Sequence, residues 1–129
     1  MKNYTHLIAG IINILTAIIH TAIGQYTLAV PLLHSNMADL EKSQMLGVWH
    51  MATVVLFASS IIVLGSSINK FKVSQDLLAF IGWSYLFYGF SFLLISLLKW
   101  QLALQWTLLL PIGLLVLFGN SKFKMASKA

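Results

Sequence analysis

Four long apolar runs dominate the chain, covering about 7–24, 46–64, 77–98 and 102–118. Each is close to the ~20 residues a helix needs to cross a ~30 Å hydrocarbon core. Little more than Lys99-Trp100-Gln101 separates the last two, which suits a tight helical hairpin. No repeat, low-complexity tract or soluble insertion interrupts the series. The pattern predicts one all-α domain over 1–129, an integral membrane four-helix bundle.

The only long connection is the first, 25–45. Pro31 is expected to end any extension of the first helix, because it lacks an N–H and clashes with the preceding turn. Asn36 then reads as an N-cap with the second helix starting near Met37. Asp39 would stand favourably at the positive end of that helix dipole. The alternative is a separate interfacial helix over 37–45.

Within the first run, polar residues recur at His6, Asn13 and His20, seven positions apart. At ~100° per residue, His6, Gly10, Asn13, Ala17, His20 and Gly24 fall within a sector of roughly 80°. The opposite face is Leu, Ile and Ala. This stripe is expected to face the bundle, its small residues allowing close approach and Asn13 and the threonines bonding to neighbouring helices. In the third run Gly82, Tyr85, Gly89, Phe92 and Ser96 form a comparable face. Ser84, Tyr88 and Ser91 lie opposite, so both faces are expected to meet protein, the helix either lying centrally or turning its second face to another copy of the chain. A homo-oligomer is the expectation. Pro111 is expected to kink the fourth helix and leave a carbonyl for its neighbours to satisfy.

Composition narrows the class. The chain has 129 residues, 59% apolar and only 9% charged, with a mean hydropathy of +0.87. Such a chain cannot furnish the charged surface that a soluble domain of this size requires. The net charge of +5 does not point to nucleic acid, because the cations stand singly or in pairs at span ends. Lys2, Lys70, Lys72, Lys122, Lys124 and Lys128 flank one side, and Asp39, Glu41, Lys42 and Lys99 the other. By the positive-inside bias both termini are cytoplasmic, the tail SKFKMASKA facing headgroups. Lys2 ahead of an apolar run, with Ala22-Ile23-Gly24 behind it, resembles a signal peptide. The expectation is instead a retained membrane helix. There is no cysteine, which removes thiolate ligands and thiol catalysis.

The candidate chemistry rests on histidine. His6 is expected at the headgroups and His34 in solvent. His20 lies deeper on the small-residue face, and an intramembrane ionisable group is costly enough to suggest function. His50 follows Trp49 at a similar depth of the second helix, on a face shared with Gly47, Thr53, Phe57 and Ser60. Two imidazoles on facing helices, with Gly24 and Gly47 giving clearance, are an arrangement that clamps a haem. The expected cofactor is haem b held by His20 and His50. A zinc or copper ion on the same pair would lack further ligands. The structural alternative is that each histidine bonds to Tyr85, Gln105 or a backbone carbonyl.

Asp39, Glu41 and Asp76 all fall in loops or at span ends, so no embedded carboxylate is available to carry protons. HExxH, a phosphate loop, a nucleophile elbow and arginine are all missing, which argues against conventional enzyme activity.

GIINILTAIIHTAIG in the first helix, GxW at the start of the second, IGW opening the third and WTLLLPIGLL in the fourth carry a resemblance. The chain resembles a group of small, uncharacterised bacterial four-helix membrane proteins. The resemblance implies a bacterial origin, the four-helix architecture and a role for the residue at His20, but no activity. Together these readings describe a small membrane protein with an outer-leaflet, His-lined pocket for haem b or a similar ligand. The competing readings are a non-catalytic accessory subunit, or a small channel or carrier with Asn13, Thr16 and His20 lining a polar path.

Overall fold

The computed structural model describes residues 3–68, 70, 72–100 and 102–126, the last six by backbone alone. Lys2, Lys128 and the side chains of Lys122 and Lys124, part of the topology argument, lie outside the described residues, as does Gln101. The fold is all-α with four helical rods. Three are long and apolar enough to cross a membrane, while the apolar part of the fourth, Trp106–Asn120, is shorter.

The first rod begins as α1, Tyr4–Gly24, whose N-cap Asn3 accepts the His6 backbone N–H. It does not stop before Pro31. A π-helical turn, Gln25–Ala29, leads directly into a short α2, Val30–Leu33. Proline cannot donate to the carbonyl four residues back. The wider turn, with the Val30 N–H bonded to the Gln25 carbonyl, lets the helix absorb that loss and run on past Pro31. The expectation that Pro31 ends the helix is therefore corrected.

The next helix, α3, spans Asp39–Ser67 and is continuous, without a separate interfacial segment. It starts after Ala38 with no side-chain cap, so Asn36 is not the N-cap; Asp39 and Glu41 do occupy its first turn. Ser74 caps α4, Gln75–Lys99, by accepting the Leu77 N–H at 3.2 Å. Trp100 ends that helix in the left-handed region, with φ 52°. Residues 102–105, expected within the fourth span, form a turn, and α5 runs Trp106–Ala126. Ser96 closes this connection by accepting the Ala103 N–H at 3.0 Å.

Packing is a row rather than a ring. α1 packs closely on both α3 and α5, and α4 packs on α5, while α3 and α4 approach each other only sparsely. Small residues set the close contacts. A Cβ at Gly113 would stand 2.8 Å from the Gly82 carbonyl oxygen, and one at Gly89 would meet Leu110 at 2.6 Å. The α4 face expected to be buried is mostly so, with Gly82, Tyr85 and Gly89 inside. On α3 the buried line is Trp49, Leu56, Ser59, Ser60, Val63 and Ser67. That line leaves Gly47 and His50 exposed.

The start of α1 is tied to α5 by a polar clasp. Asn3 Nδ2 donates to the Gly119 carbonyl at 3.1 Å, and His6 Nε2 to the Val116 carbonyl at 3.1 Å. His6 is 3% exposed, not turned towards the outside as expected, because Gly119 leaves room for the ring against α5.

Candidate functional site

The stripe of α1 divides into two parts with different surroundings. Asn13, fully buried, sits at the centre of the bundle and joins three helices. Its Nδ2 donates to Ser59 Oγ of α3 at 3.1 Å, and its Oδ1 accepts from the Tyr85 hydroxyl of α4 at 2.7 Å. Ser59 Oγ and the Tyr85 hydroxyl are themselves 2.7 Å apart, which closes a ring of three side chains. This is the interhelical role expected of Asn13. Thr16 and Thr21 do not share it, since each donates to the carbonyl four residues back in its own helix. Ser59 and Tyr85 were not singled out as a pair by the sequence, although a serine, an asparagine and a tyrosine in apolar helices signal that partners are needed.

Away from the termini, beyond this ring, the row of helices opens. A cavity of about 840 Å³ lies among α1, the π-turn, α3, α4 and the start of α5. Its inner edge includes Thr16, Leu56, Tyr85 and Leu109, its α3 wall is Met45, Val48, Met51, Ala52 and Val55, and Tyr88, Ser91 and Gln105 lie on the other flank. The opening follows from the packing, because α3 and α4 are the two helices of the row that do not close on each other. Tyr88 and Ser91, expected against a second protein surface, line this space.

The lining is mostly apolar and contains no Asp, Glu, Lys or Arg. Among the described residues no group of three or more His, Cys, Asp or Glu side chains comes together to hold a metal ion.

His20 and Gly24 line the cavity; His50 and Gly47 do not. The His20 ring stacks on Trp49, with centroids 5.3 Å apart and planes at 25°. Trp49 in turn meets His50 edge-on at 4.9 Å. Both imidazoles thus touch one indole, but His50 is exposed and does not share the cavity with His20. The clearance at Gly24 is taken up by the indole, since a Cβ there would stand 3.0 Å from Trp49 Nε1. At Gly47 a Cβ would have nothing within 4 Å. His20 bonds to neither Tyr85 nor Gln105: its Nε2 is buried and has no hydrogen-bond partner. A buried polar atom left unsatisfied is uncommon and calls for an explanation.

No protein-family model matches the chain, and no curated protein or solved structure matches it either.

Proposed function

We propose that this chain is a small bacterial inner-membrane protein, termini cytoplasmic, whose outer-half cavity holds a lipid-soluble ligand against His20. The single observation that carries the reading is the cavity of about 840 Å³, mostly apolar, with His20, whose buried Nε2 has no partner, in its lining. Ligand pockets commonly run about 300–1,000 Å³, apolar with a few polar groups that fix orientation. Three further features support it. The exposed apolar side chains of α1, such as Ile8, Ile11, Leu15 and Ile18, suit a hydrocarbon surround. The cavity opens where α3 and α4 fail to close, so a ligand dissolved in the bilayer has a route to it. His20 is the only histidine in its lining.

Haem b would find His20 to hold its iron but no Lys or Arg in the lining to meet its propionates, so it fits this cavity less well than a neutral ligand. His50, exposed beyond Trp49, does not line the cavity and would not join His20 in holding such a group.

The test is native mass spectrometry and an absorption spectrum of the detergent-purified protein. Ala52 lines the cavity and is exposed, so Ala52→Phe should narrow the space one turn from Trp49 with little other change. The expected result is a co-purifying lipophilic adduct that Ala52→Phe removes. A Soret band lost in His20→Ala and kept in His50→Ala would identify the adduct as haem. Equal adduct in wild type and Ala52→Phe overturns the reading, leaving an accessory subunit whose polar residues only pack helices.

A further inference from the structure

The geometry points to an uncharged amphiphile as the occupant, with a neutral oxygen head, hydroxyl or carbonyl, at His20 and its hydrocarbon tail along α3. This rests on the cavity reading above and specifies its ligand. Two observations carry it.

The first is the charge inventory. A cavity that recognised a phosphate or carboxylate head would need a cation, and one that recognised an ammonium would need a carboxylate or an open aromatic cage. The lining has neither Lys or Arg nor Asp or Glu, and its aromatic rings are engaged with neighbours rather than set as a cage, Trp49 stacking on His20 at 5.3 Å and Tyr85 meeting Tyr88 edge-on at 6.3 Å. The described charged residues of that end, Asp39, Glu41 and Lys42, stand at the start of α3, with Lys99 at the end of α4, and none of them lines the cavity. A charged head would therefore be desolvated without a partner.

The second is the distribution of hydrogen-bonding capacity. Several polar side chains of the lining are already committed, while Gln44, Tyr88 and Gln105, which are not, are exposed. Tyr85 belongs to the Asn13–Ser59 ring, Thr16 donates to the Ile12 carbonyl, and Ser91 donates to the Phe87 carbonyl. His20 Nε2 is uncommitted and buried. A neutral imidazole offers one donor or one acceptor at that nitrogen, which matches one hydroxyl or one carbonyl. From there the α3 side chains Met45, Val48, Met51 and Val55, all exposed, continue as an apolar strip towards the gap facing α4. Methionine in such a wall adapts to tails of varying shape.

The experiment uses Trp49, which touches His20 and lines the cavity, as the reporter. Trp83, Trp100 and Trp106 are replaced by Phe, leaving Trp49 as the one tryptophan. Its fluorescence is then quenched by amphiphiles of one chain length with brominated tails, at equal mole fraction in the micelle and at pH 8, where histidine is ordinarily neutral. The probes carry an alcohol, a methyl ketone, a carboxylate or a trimethylammonium head, with the bromoalkane as the headless reference. Quenching by the alcohol and ketone at concentrations at least about tenfold below the two charged probes is expected, since an unpaired buried charge is strongly disfavoured. His20→Phe, which keeps a ring on the indole, should bring the alcohol and ketone to within about twofold of the bromoalkane.

Equal quenching by neutral and charged heads overturns the proposed ligand class and leaves the cavity reading standing. A neutral-head preference that survives His20→Phe overturns the assignment of the head to His20. Quenching by every probe that is unchanged in Ala52→Phe shows access of micelle tails only, and the cavity reading fails with it.

Discussion

Tyr85→Phe is the cleanest perturbation of the bundle centre. It deletes one oxygen and leaves the ring, which is 1% exposed, in place. The lost hydroxyl is the donor to Asn13 Oδ1 at 2.7 Å, and no other partner for that oxygen is present among the described residues. The change thus removes that bond and the 2.7 Å bond with Ser59 Oγ, and strands a fully buried acceptor. An orphaned buried acceptor costs about 1–3 kcal/mol. Interhelical bonds in membranes average only about 0.6 kcal/mol and reach about 1.7, because separated helices in lipid also find partners. Asn13 is held from two other helices at once and is fully occluded, so the upper part of that membrane range applies, about 1.5 kcal/mol. That is roughly a tenfold loss in the folding constant. Denaturation in mixed micelles, followed by circular dichroism, measures it. Combining Tyr85→Phe with Asn13→Ala should cost about 1 kcal/mol less than the sum of the two, because the double variant strands no acceptor. Tyr85→Phe within about 0.3 kcal/mol of wild type, or strict additivity in the double variant, would refute the account of the ring.

The same denaturation assay separates the glycines: Gly113→Ala pushes a Cβ to 2.8 Å from the Gly82 carbonyl and should cost about 1–3 kcal/mol. Gly47→Ala meets nothing within 4 Å and should be neutral or gain up to about 1 kcal/mol from helix propensity. His6→Ala loses the bond to the Val116 carbonyl and leaves a void beside Gly119, so a loss of about 1–3 kcal/mol is expected. His50→Ala, at an exposed position, should stay within about 0.5 kcal/mol; a loss as large as that of His6→Ala would contradict the outward placement of His50. Pro31→Ala returns an N–H to the rod, and amide hydrogen exchange around Gln25–Ala29 should then slow as the π-turn gives way to regular α-helix.

The number of helices, their approximate places and the membrane-like composition are legible in the sequence. Apolar runs of this length have few other uses, and hydrogen bonding within each run satisfies its backbone without reference to the rest of the chain. Polar residues in such runs are equally visible. Asn13, alone among Ile and Leu, had to find partners, and the Gly82–Tyr85–Gly89 line had to face a neighbour. What the sequence does not carry is rotation and neighbour order. Along α3 the lipid side and the core side are both apolar, so the pattern that would orient a water-soluble helix is nearly erased. The face was set instead by Trp49 fitting beside Gly24 and Ser59 reaching Asn13, contacts across 25 and 46 positions of the chain that only the folded bundle brings together. That orientation turns His50 outward and leaves His20 with an indole for a neighbour. The cavity has the same origin. It exists because α1 and α5 pack together in the middle of the row and hold α3 and α4 apart, a consequence of small residues meeting on helices distant in sequence.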